Sequence, residues 1–367
     1  MRPAIEKILQ KDELSRDDLI TLLDITDPAE EAALFKRAYA IKQREVGTKV
    51  YFRGLVELSN LCIKNCFYCG IRRGNTAVTR YTMSEDEVVE AVRFAHAARY
   101  GSVVIQSGER QDEEFVCFIE RLVTRIKEVS NNELGITLSL GEQSEATYRR
   151  WYVAGAHRYL LRIETSNAAL YKTLHPDDHD FEARLEALRT LYRLGYQVGT
   201  GVMIGLPGQT TADLADDVAF FKKMDVAMIG MGPFIPHHDT PLAASIPDWQ
   251  EHKEQQLRRA LRMIAVVRIH LKDVNIASTT ALQAIDETGR EMGLLAGANI
   301  IMPNLTDTSY RTGYQLYDDK PCMDENATMC SACLERRITD IGETVGYGQW
   351  GDSPHFKSAK KSNNGEK

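Results

Sequence analysis

From residue 50 the sequence reads Val50-Tyr-Phe-Arg-Gly-Leu-Val-Glu-Leu-Ser-Asn60, and one residue later it continues as Cys62-Ile-Lys-Asn-Cys66-Phe-Tyr-Cys69. The first part changes from the helical pattern before it to alternation, which predicts a β-strand. The second part places three cysteines in a short loop directly after that strand. In parallel α/β proteins, binding and catalytic groups lie in the loops that follow the strands. This stretch therefore indicates both a fold class and a site.

Seven further strand-like segments follow, and most of them are joined by amphipathic helices. The eight predicted strands are Val50–Asn60, Ser102–Gly108, Gly135–Gly141, His157–Thr165, Val198–Leu206, Val226–Ile235, Asn275–Ala281 and Asn299–Pro303. Strand and helix that alternate eight times predict an α/β protein of the (β/α)8 TIM-type barrel class. A doubly wound open sheet is the alternative, but cysteines replace the Gly-x-Gly-x-x-Gly turn that usually follows its first strand.

The regions on either side of the predicted barrel differ from it. Residues 1–49 read as helix, which predicts an N-terminal helical extension, and the barrel is expected over residues 50–304. An irregular C-terminal segment over residues 305–352 contains a second group of cysteines. Residues 353–367 are polar and rich in Lys, Ser and Asn, so we expect a mobile tail there.

The composition is that of an ordinary globular protein. The 367 residues are 43% hydrophobic and 26% charged, and 45 basic against 52 acidic side chains give a formal charge of −7. This modest acidity argues against nucleic-acid binding, which needs clustered Lys and Arg. No window of about 18 apolar residues predicts a membrane span. Because no secretory signal opens the chain, we expect a cytoplasmic protein whose thiols stay reduced.

The three cysteines of the loop indicate a metal centre, because thiolates this close together bind one soft metal centre. A structural zinc site normally takes four protein ligands, and no fourth Cys or His is nearby in the sequence. Three thiolates on a 4Fe–4S cluster leave one iron without a protein ligand, and that iron is free to bind a small molecule. A zinc site and a redox-active Cys-x-x-Cys pair are the alternatives.

Several other predicted strands end in polar residues, although the inward positions of a barrel are usually Val, Ile and Leu. These ends are Gln106-Ser107-Gly108-Glu109, Ser139-Leu140-Gly141-Glu142 and Ser278-Thr279-Thr280. In the fourth strand, Arg162 and Glu164 lie two residues apart and therefore share a face. An inward-facing charged pair is costly to desolvate, which favours a binding site over the alternative of a structural ion pair.

The spacing of Cys62, Cys66 and Cys69 resembles that of the radical S-adenosylmethionine (radical SAM) family. The resemblance implies that these cysteines hold a 4Fe–4S cluster whose open iron binds SAM. One electron then cleaves SAM to a 5′-deoxyadenosyl radical. The resemblance implies a cofactor site formed by Tyr68 next to the adenine, Gln106, Ser107, Ser139, Glu164 at the ribose hydroxyls or the amino end, and Arg184 at the carboxylate.

The predicted fifth strand carries a stretch that resembles the glycine-rich motif of the family. It reads Gly201-Val-Met203-Ile204-Gly205-Leu-Pro-Gly208, and Gly208 stands where other members carry an acid. A side-chain role at that point is therefore in doubt. Met203 and Ile204 are expected either to pack on the adenine or to belong to the core.

Other stretches resemble one branch of the family, the FeFe-hydrogenase maturases. They are residues 65–73, 137–142, 158–162, 230–237, 301–304 and 314–317, together with the spacing Cys322-x7-Cys330-x2-Cys333. The resemblance implies an accessory 2Fe–2S or 4Fe–4S cluster on Cys322, Cys330 and Cys333, for which an adventitious or zinc site is the alternative.

The same resemblance implies a small organometallic or sulfur-containing substrate, an electron donor, and HydG- and HydF-type maturases as partners. The residues expected at the substrate are Arg162, Met228, Thr279, Thr280, Met302 and Tyr314. Met228 and Met302 are equally compatible with core packing. His237 and His238 follow the sixth strand as candidate ligands or general acids, although loop histidines more often have neither role.

Three other functions compete with this interpretation. The radical SAM enzyme 3-methylornithine synthase has a similar motif set, and biotin synthase is a second relative. Biotin synthase builds a further cluster from cysteines on several strands, whereas no predicted strand after the first contains Cys. A protein of another class, a non-catalytic iron–sulfur or zinc scaffold, would bind metal but would not cleave SAM.

Overall fold

The computed structural model describes residues 1–358. Its centre is a parallel sheet in which every strand pairs with the next one along the chain. The strands are β1 (Lys49–Ser59), β2 (Ser102–Ser107), β3 (Gly135–Ser139), β4 (Arg158–Leu160), β5 (Gln197–Thr200), β6 (Met228–Ile229), β7 (Asn275–Ile276) and β8 (Ile300–Ile301). The last strand returns to the first, with Tyr51 of β1 in register with Ile300 of β8.

Two backbone hydrogen bonds join β7 to β8 and close the sheet. Ser278 N donates to Ile300 O at 2.8 Å, and Asn299 N donates to Ile276 O at 2.9 Å. Since β8 also pairs with β1, the eight strands form a continuous ring. The predicted (β/α)8 class is therefore confirmed, and the doubly wound open sheet is wrong.

Several strands end earlier than the sequence pattern predicted, always on the side where the site lies. The fourth strand was expected to reach Thr165 but ends at Leu160, and Glu164 has a left-handed φ of 66° that an extended strand does not accommodate. Beyond β5 and β6 a separate short parallel pair forms between Met203–Ile204 and Gly232–Pro233. The strand ends leave the main sheet here because they spread apart around a cavity.

Helices cover the outside of the barrel and the chain before and after it. They are α1 (Pro3–Leu9), α2 (Arg16–Leu23), α3 (Pro28–Glu45), α4 (Glu85–Ala97), α5 (Glu113–Val129), α6 (Glu145–Ala154), α7 (Ala168–Leu174), α8 (Phe181–Arg193), α9 (Thr211–Lys223), α10 (Trp249–Leu271), α11 (Thr280–Ile285), α12 (Gly289–Leu295), α13 (Thr308–Arg311) and α14 (Ala327–Asp340). A capping box begins α4, since Glu87 N donates to the Ser84 hydroxyl and Ser84 N donates to the Glu87 carboxylate. Among residues 1–358, none of these helices has the length and apolar character of a bilayer-spanning segment.

The three helices before β1 pack on the outside of the barrel. Helix α2 lies against α9 and α3 lies against α10, with Leu22 and Leu34 fully buried between them. Glu31 of α3 is buried and pairs with Arg262 of α10 at 3.0 Å. The extension therefore contributes apolar burial to the barrel's outer layer rather than groups to its mouth.

The chain after β8 covers both ends of the barrel. It first crosses the mouth, where Gly70 N donates to Leu316 O at 3.0 Å. Strand β9 (Thr344–Val345) then pairs with the start of β1. At the opposite end, Gly351 O accepts from the buried Arg53 at 3.2 Å, and Asp352 forms an ion pair with Arg158. The segment expected to be irregular is thus built into the walls of the interior.

The mobile tail predicted from residue 353 is wrong in its first residues. Ser353 is fully buried, and His355 lies between Asp225 at 2.7 Å and Asp273 at 3.2 Å. These two carboxylates attract the C-terminal chain to the barrel. The rest of the predicted tail, residues 359–367, lies outside the described residues.

Candidate active site at the mouth of the barrel

A cavity of about 340 Å³ opens where the carboxyl ends of the strands meet. Most of the predicted site residues line it: Cys62, Cys66, Cys69, Tyr68, Gln106, Ser107, Ser139, Arg162, Glu164, Arg184, Thr279, Thr280, Met302 and Tyr314. These residues are far apart in sequence, and the barrel brings them together because parallel strands end on the same side.

Met228 is the exception among the predicted substrate residues. Its side chain is buried below the cavity, where the Arg53 guanidinium contacts its sulfur at 2.6 Å. It packs with Ala277, Ile300 and Met302, of which Met302 also reaches the cavity. The structure places Met228 in the core, one of the two roles that the sequence left open, because its position on β6 lies deeper in the barrel than the ends of the strands.

The loop that carries the three cysteines is held against the end of β2. Ile63 N donates to Glu109 O at 2.9 Å, and Glu109 N donates to the Cys62 sulfur at 3.3 Å. Gly108 makes this approach feasible, since a Cβ at that position would lie 2.3 Å from Leu61 O. On its other side, the loop is tied to the segment before α8 through Asn65 N, which donates to His179 at 3.1 Å.

The three thiols fit a metal cluster better than a single ion. Burial raises the pKa of the Cys62 thiol, raises that of Cys66 to about 12, and raises that of Cys69 well above its usual value. Thiolates become favourable in such a setting when a metal supplies the opposing positive charge. Within residues 1–358, the sulfurs of Cys62, Cys66 and Cys69 are not among the groups of ligand atoms that all lie within 4.8 Å of one another, so these three sulfurs are spread more widely. A single tetrahedral ion would hold its sulfurs about 3.8 Å apart, whereas a cluster of several irons separates them further.

Next to the cysteines, two cations and two carboxylates form one network. Lys64, from the cysteine loop, contacts Glu142 at 2.9 Å and Glu109 at 3.6 Å. Arg184 of α8 contacts Glu142 at 2.5 Å. Burial and the neighbouring Glu142 raise the pKa of Glu109, while Arg184 and Lys64 overcome burial and lower the pKa of Glu142. The network thus presents one carboxylate that is well compensated and one that still lacks a strong cationic partner.

Gly141 gives Glu109 its place in this network. It has a left-handed φ of 76°, and a Cβ there would lie 2.3 Å from a Glu109 carboxylate oxygen. That oxygen accepts a hydrogen bond from Glu142 N at 2.9 Å. Because Gly141 has no side chain, the Glu109 carboxylate, which comes just after β2, can lie against the backbone that follows β3.

Glu164 and Arg162 leave β4 toward the same cavity, as their spacing predicted. Their charged groups lie 2.9 Å apart as an ion pair, without the alignment of a hydrogen bond. Burial raises the pKa of Glu164, against the opposing effect of Arg162 and Arg184. The contact leaves Glu164 free to accept hydrogen bonds from another group.

Tyr68 forms an apolar wall of the cavity together with residues from β4 to β6. It packs with Phe67 against the cluster of Leu170, Met203, Leu206 and Phe234. Its hydroxyl is 3.4 Å from His175. Met203 lines the cavity, whereas Ile204 is buried in the main core, which separates the two residues that the sequence left undecided.

The opposite wall is built from β7 and the segment that follows β8. Tyr314 lies near Gln106, and Tyr317 lies near Thr280. Lys320 donates to Glu57 at 2.5 Å and to Tyr314 O at 2.8 Å. The hydroxyls of Thr279, Thr280 and the two tyrosines supply neutral donors and acceptors on this side.

Sequence reasoning missed five charged or polar residues of the cavity: Glu57, Lys64, Arg290, Tyr317 and Lys320. Glu57 did carry a signal, because it is a charged residue within the apolar first strand. The other four lie in loops or at a helix start, where polar residues are common and no periodicity marks them.

Two of the three cysteines in the second group, Cys322 and Cys330, lie close together. Cys322, Cys330 and Glu325 place their ligand atoms within 4.8 Å of one another, whereas Cys333 lies near Arg337. The predicted set of Cys322, Cys330 and Cys333 does not appear as such, because Cys333 lies one turn of α14 after Cys330 and faces Arg337.

The two candidate histidines after β6 do not line the cavity. His237 is buried behind Gly70, and its Nδ1 accepts from Asp239 N at 3.1 Å. His238 is largely exposed and contacts Asp318 at 2.8 Å. The ligand atoms of His237, His238 and Asp318 lie within 4.8 Å of one another, so the two histidines form a possible metal-ligand set outside the cavity lining.

Comparison with known sequences gives the class of protein. The profile of the Radical SAM superfamily matches residues 56–221, which run from β1 into α9 and contain the cysteine loop, the charged network and Glu164. Fold and site together define a radical SAM enzyme, as the cysteine spacing predicted.

Comparison with single proteins narrows the class. The chain is 44% identical to the FeFe hydrogenase maturase subunit HydE of Thermotoga maritima over 350 residues, which cover 95% of this chain and 97% of that protein. It belongs to the HydE family. The 3-methylornithine synthase of Methanosarcina acetivorans is 28% identical over 85% of the chain and 86% of that protein.

A solved structure shares the fold. The crystal structure of methylornithine synthase (PylB) superposes with a TM-score of 0.77 at 22% identity, and the match covers 94% of this chain and 97% of that one. At this level of identity the likeness supports the barrel architecture alone.

Proposed function

We propose that this protein is a HydE-type maturase that cleaves SAM reductively and acts in the assembly of the di-iron subcluster of FeFe hydrogenases. The observation that carries the proposal is a loop of three partly buried thiols that faces a charged network across one cavity. Identity to a curated HydE over nearly the whole chain supports the particular role.

Cys62, Cys66 and Cys69 would hold a 4Fe–4S cluster. When bound, this cluster supplies the open iron that binds SAM and the electron that breaks its carbon–sulfur bond. The protein positions the loop through the hydrogen bond from Glu109 N to the Cys62 sulfur at 3.3 Å. It also limits the access of water, because the segment containing Leu316 crosses the mouth.

The charged network would hold the methionine end of SAM. Arg184 uses Nε for Glu142 and Nη1 for Arg162 O, so its Nη2 remains available for a carboxylate. Glu109, whose pKa is raised by burial and by Glu142, would gain a cationic partner in the SAM amino group. Gln106, Ser107 and Ser139 lie on the same side and would complete the polar contacts.

The nucleoside end of SAM would lie between Glu164 and Tyr68. Glu164 presents a buried carboxylate that would accept from the ribose hydroxyls. Tyr68 and Met203 offer an apolar surface for the adenine ring. The substrate would then occupy the other side, near Arg162, Thr279, Thr280, Met302 and Tyr314.

The substrate is a small organometallic or sulfur-containing molecule, and HydG- and HydF-type maturases are the partners that would supply it and receive the product. We place the protein in the cytoplasm with a separate electron donor. We also propose an accessory 2Fe–2S or 4Fe–4S cluster at Cys322, Cys330 and Cys333, for which the Cys333 side chain would have to leave Arg337.

The test is anaerobic reconstitution with iron and sulfide, reduction with dithionite, and chromatographic assay of 5′-deoxyadenosine after addition of SAM. Formation of 5′-deoxyadenosine together with activation of an immature FeFe hydrogenase by the full maturase set is the expected result. Incubation with lysine and SAM serves as the comparison. Formation of 3-methylornithine there would make the protein a mutase, and absence of SAM cleavage would make it a scaffold.

A further inference from the structure

The cysteine loop is closed at its base by one side chain that takes no part in the charged network. The Nη1 of Arg80 donates to Asn60 O at 2.7 Å and to Ile71 O at 2.8 Å. Asn60 lies just before Cys62, and Ile71 lies just after Cys69. A single nitrogen atom therefore joins the two ends of the loop.

The other terminal nitrogen of Arg80 holds the chain that leaves the loop. Its Nη2 donates to Arg72 O at 2.7 Å and to Asn75 O at 2.9 Å. Each of the two nitrogens thus uses both of its hydrogens, and all four acceptors are backbone carbonyls. A planar guanidinium can bind four such oxygens at once, whereas the compact ammonium group of a lysine cannot reach all of them.

The position of Arg80 is itself fixed by the end of β1. The Asn60 side chain is fully buried, donates to Thr79 O at 2.7 Å and accepts from Tyr81 N at 2.8 Å. The Ser59 hydroxyl donates to Tyr81 O at 2.8 Å. The residues on both sides of Arg80 are therefore bound to the barrel, so its guanidinium holds the loop against a rigid strand.

Arg80 also brings a positive charge to the loop without a carboxylate of its own. Within residues 1–358 it forms no ion pair, whereas Lys64 and Arg184 of the charged network are both paired with Glu142. Burial raises the pKa of the Cys62 thiol, and the charge of Arg80 is among the effects that oppose this rise. Negative charge on the thiolates therefore meets a cation that no acid neutralises.

We propose that Arg80 is a positioning residue of the cluster site, which holds the two ends of the cysteine loop together and whose charge favours the reduced form of the cluster. The inference rests on the proposed function, because it concerns the cluster that Cys62, Cys66 and Cys69 would hold. Reduction by an external donor adds one electron, and hence one negative charge, to that cluster. A neighbouring cation stabilises the added charge, so its loss makes the reduction potential more negative.

A purely structural role of Arg80 is the competing explanation. In that case the four hydrogen bonds would stabilise the fold, and their loss would lower the free energy of unfolding without changing the cluster. Arg268 provides the matched control, because its guanidinium also binds backbone carbonyls outside the cavity. It donates to Gly297 O at 2.9 Å and to Lys272 O at 2.5 Å.

The first experiment follows the loop by amide hydrogen exchange and mass spectrometry of the full chain, before and after reconstitution with iron and sulfide. Amides within residues 61–75 are hydrogen-bonded, as in the bond from Arg73 N to Lys64 O at 2.8 Å. We expect Arg80→Met to exchange several-fold faster in this segment, because the loop can then open locally. Arg268→Met should exchange there as the wild type does. Unchanged exchange in both forms of Arg80→Met would overturn the proposal.

The second experiment measures the reduction potential of the reconstituted cluster by electron paramagnetic resonance during titration with dithionite. The signal that changes on addition of SAM identifies the cluster of the cysteine loop. Arg80→Met should shift the midpoint to a more negative potential, whereas Arg80→Lys, which keeps the charge, should stay close to the wild type. Arg268→Met should leave the midpoint unchanged. An unshifted midpoint in Arg80→Met, or an equal shift in Arg80→Met and Arg80→Lys, would overturn the proposal.

The two experiments distinguish failure of this inference from failure of the proposed function. A wild-type protein that binds no 4Fe–4S cluster would count against the proposed function, and hydrogen exchange would still decide whether Arg80 holds the loop. A wild-type cluster that is reduced at the same potential in Arg80→Met would overturn the inference alone. If Arg80→Met does not fold, Arg80→Gln takes its place, because the glutamine amide is uncharged and can still donate to two of the carbonyls.

Discussion

Replacement of Gly108 by alanine should weaken binding of the cluster, because this glycine lies where β2 meets the cysteine loop. The new Cβ would lie 2.3 Å from Leu61 O and 2.7 Å from the Cys62 Cβ, whereas ordinary contacts begin near 3.4 Å. The loop would therefore have to move by about 1 Å. Leu61 O belongs to the backbone, so no side-chain rotation relieves the contact.

The movement would break the bonds that hold the loop to β2. Glu109 N would lose the Cys62 sulfur at 3.3 Å, and Ile63 N would lose Glu109 O at 2.9 Å. Overpacking of this kind costs about 1–3 kcal/mol, which is less than the free energy of unfolding of a typical domain. The barrel should therefore fold. Loss of an outer hydrogen bond to a metal ligand lowers metal affinity about 10- to 100-fold, and we expect that range here.

The assay is anaerobic reconstitution with limiting iron and sulfide, followed by metal analysis and electron paramagnetic resonance of the reduced protein. Gly230→Ala is the matched control, because a Cβ there meets nothing closer than 3.9 Å. It should load as the wild type does. A Gly108→Ala protein that binds its cluster with wild-type affinity would refute the packing argument for the loop.

Three further predictions concern the cluster, the SAM site and the C-terminal chain. Cys66→Ala should lose both the SAM-sensitive cluster signal and 5′-deoxyadenosine formation. Cys117→Ala, whose cysteine lies outside the cavity, should keep both. SAM cleavage by Cys66→Ala would show that the ligand set is wrong. Arg184→Met should lower SAM affinity in equilibrium binding. In denaturant titrations it should also lower the free energy of unfolding by about 2–3 kcal/mol, because Glu142 loses its closest cation. An unchanged unfolding curve would contradict this. The pKa of His355 is raised from 6.5 to about 9 by its two aspartate partners, so its contribution to stability is present below pH 6.5 and is lost as the pH rises through 9. Thermal unfolding should show this decline in the wild type but not in His355→Gln, and equal pH profiles would exclude the effect.

A large part of the site could be predicted because its signals are local. Three cysteines at fixed spacing after a strand, and charged residues such as Arg162 and Glu164 at the end of another, are unusual for a barrel interior and stand out in the sequence. Lys64 lies between the cysteines and still gave no signal, since a lysine in a loop is ordinary. Its importance follows from its distances to Glu109 and Glu142.

The sequence by itself determined the order of strands and helices and the place of the three thiols, because hydrophobic period and residue spacing are properties of a short stretch of chain. Only the tertiary structure decided how deep each side chain lies and which distant charges meet. Met228 lies beneath the cavity, Cys333 faces Arg337, and Arg290 is left without a counter-ion. The reason is geometric: depth and charge balance depend on how strands from the whole chain close around one space, which no single segment encodes.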